Sequence, residues 1–256
     1  MGKILVTGAG GRLGLLVCSA LLSEGYFVRG VVKPGSKAPL PPGAERFEAD
    51  LSKPVQSEAF QEVSHIVHCA GLVGDKPFGE LLMHNGFAVK NLLESCPSRV
   101  ERVVLASSIS VYGNHSGKVA DESFLLKPDT PYGKSKLVAE AAAMAFAYQH
   151  KMDISLLRFG MIYGSSFTEG YYQVLKLLLR GKMRIIGKGD NRIPLLHQAD
   201  AVSAIFAALG SSLPGCRAYN IVGAEQKTQK ELLSIAASKL GVSAPTKSIP
   251  VVIAYA

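Results

Sequence analysis

The chain has 256 residues, 48% hydrophobic and 19% charged, a globular balance with enough length for one large domain or a domain with a smaller appendage. No apolar run approaches the about 20 residues that span a bilayer, which excludes a transmembrane helix. The net charge of +8 comes from scattered Lys and Arg with no basic run and no interleaved aromatics. That pattern argues for a solvated surface or a pocket for a polyanionic cofactor, and against a nucleic-acid partner.

KILVT (3–7) predicts a first strand that runs into a glycine-rich turn and then a helical LGLLVCSALLSEG ending near Gly25. The chain goes straight into this strand without a charged, cleavable leader. Its four cysteines, Cys18, Cys69, Cys96 and Cys216, lie far apart with no CxxC spacing. Both features predict a cytoplasmic protein with reduced thiols and no metal site. YFVRGVV, RFEAD and HIVHCA predict the next strands, with KPGSKAPLPPG (33–43) as a Pro/Gly surface loop. A helix over ELLMHNGFAVKNLLESC, a strand at RVVLASS, a long helix over KSKLVAEAAAMAFAYQH and a strand at DISLLRFG follow. Continuous apolar strands alternating with helices predict an α/β fold, a doubly wound parallel sheet of Rossmann type.

After Gly164 the rhythm loosens. SSFTEGYYQVLKLLLRGKM predicts a helix, RIIG a short strand, HQADAVSAIFAAL a helix and AYNIVG a strand. Thr228 and Glu231 form a capping box that opens a last helix, stopped at Gly241. The expected division is a dinucleotide-binding domain over 1–164 and a smaller mixed α/β, substrate-binding part over 165–256.

Within VTGAGGRLG the pattern G-x-G-x-x-G fails when started at Gly8, because its last position is Leu13. Gly8, Gly11 and Gly14 instead fit G-x-x-G-x-x-G, with Arg12 and Leu13 inside the loop. Glycines in that register allow a tight turn, close approach of backbone to a pyrophosphate, and close helix–strand packing. The second strand ends in Lys33 with no Asp or Glu beside it. An acid there would hold the ribose 2′-hydroxyl of NAD, whereas Lys33 and Arg12 attract a 2′-phosphate. NADP is the expected cofactor, with NAD as the alternative. Asp50, followed by Leu51 in EADL, is a candidate contact to the adenine amino group.

Two later stretches carry proton chemistry. ASSISVYG (106–113) follows a strand, and TPYGKSK (130–136) opens the long helix with Thr130 as N-cap and Pro131 at its first position. Tyr132 and Lys136 then lie one turn apart on one face. A nearby ammonium lowers a phenol's pKa from about 10, and a serine at the sheet edge orients the same substrate oxygen.

Together these residues resemble the extended short-chain dehydrogenase/reductase family, the NAD(P)-dependent epimerase/dehydratase group. The resemblance runs over nearly the whole chain, through TGAGGRLG, EADL, IVHCAGLVG, HNGFAVKNLLESC, VVLASSISVYG, YGKSK, LRFGMIYG, GKGDNRIPLLHQADAV and AYNIVG. It implies that Tyr132 is the acid/base, Lys136 its partner and a nicotinamide-ribose ligand, and Ser108 the working hydroxyl, with Ser107 and Ser110 as neighbours. It also implies that Ala70 and Gly71 border the cofactor and that Asn85 supports that site. Ala88-Val89 stand where the family often has Gly-Thr, and Phe159 stands where Leu-Arg-Pro is familiar.

The resemblance also ranks reactions. Ile109-Ser110 replace the Asp-Glu pair of 4,6-dehydratases, which disfavours water elimination. Arg192 falls five residues before His197 rather than four, away from the nucleotide-sugar pattern but still able to meet an anionic substrate. The favoured activity is an NAD(P)-dependent oxidoreductase acting on a small-molecule secondary alcohol or ketone. A nucleotide-sugar 4-epimerase is the alternative, and a non-catalytic NADP(H)-binding sensor the second alternative. His197 and Asp200 are read as stabilising the domain junction. Pocket walls are expected at 71–80, 114–124 and 165–172, and IPVVIAYA suggests a reduced or truncated substrate part. The helix after Tyr132 is apolar on several faces, which predicts burial all round. The resemblance implies a homodimer through it and the helix near Asn85.

Overall fold

The computed structural model describes residues 2–114 and 119–251. The chain divides into two compact units: Met1–Phe159 with Ala201–Ile221, and Gly160–Asp200 with Val222–Ala256. The expected wall at 114–124 and the terminal IPVVIAYA lie partly outside the described residues.

In the first unit, apolar runs become buried strands, the exposed edge strand Glu45–Glu48 excepted, and the amphipathic runs between them become helices. In order these are β1 (Lys3–Thr7), α1 (Arg12–Ser23), β2 (Val28–Val32), β3 (Glu45–Glu48), β4 (Val63–His68) and α2 (Phe78–Leu81). A π-helical turn (Leu82–Phe87) leads into α3 (Ala88–Glu94), followed by β5 (Arg102–Ser108), α4 (Pro131–His150) and β6 (Asp153–Phe159). With β10 (Cys216–Ile221), seven strands form one sheet in the order β3-β2-β1-β4-β5-β6-β10, every pair parallel. Its helix-covered core includes Leu5, Phe60, Ile66, Val103, Ile154 and Leu156. This is a Rossmann-type sheet, and the order reverses between β1 and β4. Such a switch point opens a crevice at the carboxyl ends of the two strands.

The second unit begins with β7 (Met161–Tyr163), α5 (Tyr171–Leu179), β8 (Ile185–Ile186) and β9 (Leu195–His197). The chain then passes through α6 (Gln198–Leu209) and β10 (Cys216–Ile221) to α7 (Gln229–Leu240) and β11 (Ser248–Ile249). β7 pairs with β9 and β8 with β11, both parallel. Leu178 of α5 and Ala236 and Ala237 of α7 share a small core. The Thr228–Glu231 capping box forms in full, and Gly241 closes α7 in the left-handed conformation.

Three elements differ from the expectations. The helix foreseen over 165–183 is confined to Tyr171–Leu179, because Gly164 and Phe167 pair and Gly170 adopts φ 56° just before it. The helix around Asn85 is broken by the π-helical turn. Finally, α4 is not buried all round: Met144 is 52% and Tyr148 91% exposed. No helix among the described residues is long and apolar enough to cross a membrane.

Candidate active site

The glycine turn leaves β1 at Gly8, where φ is 65°. A Cβ at Gly8 would lie 2.7 Å from the Ala70 backbone, and one at Gly14 would run into the Gly8 carbonyl. The turn is therefore closed by backbone against backbone, as a close strand–helix junction requires. Gly11 caps α1 without a side-chain bond, and Gly11 N–H donates to Gly8 O at 2.9 Å. The first-turn N–H groups of α1 thus have no side-chain cap, which suits an anionic group. These features fit the pyrophosphate of a dinucleotide.

A cleft beside this turn is lined by Gly8, Lys33, Asp50, Leu51, Ala70 and Gly71, all foreseen from the sequence. His84 also lines it and was not foreseen; its only signal was its place beside Asn85. Arg12 opens α1 at the glycine turn, followed by Leu13. Hydrogen bonds from Ser52 Oγ (2.7 Å) and Ser52 N–H (3.0 Å) hold the Asp50 carboxyl below the usual carboxylate range. Lys33 is exposed at the end of β2. One carboxylate escaped the sequence reading because it lies on the next strand: Glu48, in register with Val32, accepts from Gly35 N–H at 2.9 Å.

The switch point is pinned by polar groups. Thr7 Oγ1 lies 2.8 Å from His68 Nδ1 and accepts from Ala70 N–H at 3.3 Å. Burial pushes the His68 imidazole down to about 3, so it is neutral. Asn85 Oδ1 accepts from Leu72 N–H at 2.8 Å, while Nδ2 donates to Leu72 O at 3.1 Å and to Ser135 Oγ at 2.8 Å. Its amide is thereby engaged in tying the Gly71–Leu72 turn to α4.

Thr130 caps α4, accepting from Gly133 N–H at 3.0 Å, with Pro131 in the first turn. The cap sets Tyr132 and Lys136 on successive turns. Lys136 Nζ is buried, donates to Ala106 O at 2.9 Å and lies 6.0 Å from the Tyr132 ring centroid. Ser108 ends β5, its hydroxyl 3.1 Å from that of Ser110. The three groups Ser108, Tyr132 and Lys136 are brought together. Burial lowers the Lys136 pKa to about 8. The expected depression of Tyr132 by Lys136 does not dominate: burial raises the phenol, and a hydrogen bond from Ser108 opposes the rise.

Three further candidates, Arg192, His197 and Asp200, belong to the second unit. The Arg192 guanidinium donates to Gln226 O. His197 packs edge-on against Tyr163 at 5.3 Å, and Asp200 sits in the first turn of α6.

Residues 4–222 match the model of the NAD dependent epimerase/dehydratase family. The chain is 30% identical to an "Uncharacterized UDP-glucose epimerase YtcB" of Bacillus subtilis over 91% of this chain and 80% of that protein. Among solved structures, MoeE5 in complex with UDP-glucose and NAD superposes with a TM-score of 0.83 at 32% identity, over 97% of this chain and 85% of that one. A UDP-glucuronic acid 4-epimerase from Bacillus cereus, in complex with NAD, gives a TM-score of 0.84 at 26% identity, over 97% and 87%. The chain belongs to the NAD dependent epimerase/dehydratase family and is an enzyme of that type.

Proposed function

We propose that the protein transfers a hydride between a nicotinamide cofactor and a secondary alcohol or ketone, with Tyr132 as acid/base, Ser108 orienting the substrate oxygen and Lys136 supplying positive charge. The observation that carries this reading is the meeting of Ser108, Tyr132 and Lys136 where α4 packs against the end of β5. Nicotinamide, when bound, supplies the hydride acceptor or donor. As a C–H hydride leaves an alcohol, its O–H proton passes to Tyr132 Oη; in the reverse direction Tyr132 returns it. Ser108 holds the oxygen through this change, and the Lys136 ammonium stabilises the phenolate. A panel of ketones and UDP-sugars, followed by nicotinamide absorbance and product stereochemistry, tests it. Net absorbance change with a ketone or alcohol supports a net oxidoreductase; no turnover of any member overturns the reading.

Lys33, at the end of β2 with no acid beside it in sequence, supports NADP(H) as the preferred cofactor. Lys33→Glu is expected to weaken NADP(H) binding by roughly tenfold or more, with NAD(H) affected far less, in fluorescence titrations. Tighter NAD(H) than NADP(H) binding by the unaltered protein would overturn this preference; Glu48 is then the acid to examine.

A second reading, a nucleotide-sugar 4-epimerase, is supported by the likeness to YtcB and to MoeE5 in complex with UDP-glucose. It predicts a C4 epimer with no net change in nicotinamide absorbance. Arg192 is the proposed cation for an anionic substrate group, and the second unit the proposed substrate-binding part.

The exposed Met83, Phe87, Met144 and Tyr148 of the π-helical turn and α4 support a homodimer. Met144→Glu is expected to shift sedimentation from dimer to monomer at micromolar concentration. A monomeric unaltered protein would contradict this. We assign the protein to the cytoplasm on its four free cysteines, whose thiols burial pushes up to about 11 or 12.

A further inference from the structure

A buried polar cluster lies one turn beyond Lys136. Strand register aligns Ser107 of β5 with Arg158 of β6, and Arg158 with Asn220 of β10, so three polar residues form one row across the sheet. Glu140 of α4, fully buried, closes over this row. Ser107 Oγ donates to Glu140 Oε1 at 2.5 Å. Arg158 donates through Nε to both carboxylate oxygens (3.1 and 3.2 Å) and through Nη2 to Oε2 at 2.8 Å. Its Nη1 donates to Tyr112 Oη at 2.7 Å, and Tyr112 Oη donates to Asn220 Oδ1 at 2.8 Å.

An ion pair this deep is poor value as stability alone, because desolvating both charges offsets much of their attraction. Its position suggests another use. Tyr132, Lys136 and Glu140 recur every fourth residue on α4 and engage consecutive residues of β5: Lys136 the Ala106 carbonyl, Glu140 the Ser107 hydroxyl, and Tyr132 the Ser108 hydroxyl. Moving α4 along its axis would disturb all three together.

We propose that Glu140 is a positioning residue for the Lys136–Tyr132 pair, clamped by Arg158 and tied through Ser107 to the strand that carries Ser108. This rests on the proposed roles of Ser108, Tyr132 and Lys136. Lys136 faces Tyr132 and Glu140 on its own helix, and His68 and Cys69 from the end of β4. Burial holds His68 neutral and the Cys69 thiol protonated, pushed up to about 12. Burial lowers Lys136, while Cys69 and then Glu140 favour its charged form, and among these described groups Glu140 is the one carboxylate.

The test is a pH titration of Lys136 by carbon NMR on lysine labelled at Cε, with Lys136→Arg for assignment. Glu140→Gln keeps an oxygen for Ser107 and removes the charge. It is expected to lower the Lys136 midpoint by about one pH unit. Glu140→Gln combined with Arg158→Gln leaves no orphan charge and is expected to lower it by less, and it is the variant to read if the single one does not fold. A midpoint unmoved in the readable variants overturns the inference. The titration needs no substrate, so its failure is distinct from that of the proton-transfer assignment, which falls if Tyr132→Phe retains turnover.

Discussion

Gly14→Ala is expected to abolish nicotinamide-cofactor binding while Gly10→Ala largely preserves it. A Cβ at Gly14 would enter the Gly8 carbonyl and approach Ala9 Cα at 2.9 Å. Those are main-chain atoms, and Gly8 itself is packed so closely that a Cβ there would lie 2.7 Å from the Ala70 backbone. The turn has to open, which moves the N–H groups of the first turn of α1 away from a pyrophosphate. Overpacking of this kind costs about 1–3 kcal/mol, a sizeable part of a stability of about 5–15 kcal/mol. At Gly10 the added methyl would come within 2.6 Å of Ala38 Cβ, so the loop after β2 has to shift, whereas the Gly8 turn itself does not. NADPH fluorescence titrations are expected to show at least a hundredfold loss for Gly14→Ala and less than about fivefold for Gly10→Ala. Equal losses would contradict the Gly8, Gly11, Gly14 register.

That register was legible in the sequence because it is local: three glycines between an apolar run and a helical one. The caps were legible for the same reason. Thr130 with Pro131, and Thr228 with Glu231, set their helix starts within four residues. Features that depend on strand register were not. Ser107, Arg158 and Asn220 are scattered over the chain, and only the β5–β6–β10 alignment brings them into one row, which Glu140 of α4 then meets. Glu48 was missed alike, since β3 has to lie beside β2 before it nears the end of that strand. The π-helical turn at Asn85 carries an apolar pattern like that of an ordinary helix; its distinguishing bonds run to Leu72 and Ser135. On α4, apolar composition alone could not separate the face packed on the sheet from the face left open.

Tyr132→Phe is expected to leave fold and cofactor affinity intact and to remove catalysis. The substitution deletes the phenol oxygen and keeps the ring whose centroid lies 6.0 Å from Lys136 Nζ. Ser108 loses a partner but retains Ser110. What disappears is the group proposed to take and return the substrate proton. Ser108 is no substitute, since an aliphatic hydroxyl is a far weaker acid than a phenol and ionises too rarely near neutral pH to take the proton. Loss of a positioned general acid/base lowers rates by about 10²–10⁴. The most direct measurement is the rate of hydride transfer at saturating cofactor, for the unaltered protein and Tyr132→Phe, on whichever ketone or UDP-sugar the unaltered protein turns over. A fall of at least about a hundredfold, with cofactor affinity unchanged, is the predicted result. Equal rates for the two proteins would contradict the assignment of Ser108, Tyr132 and Lys136 as the proton-transfer site.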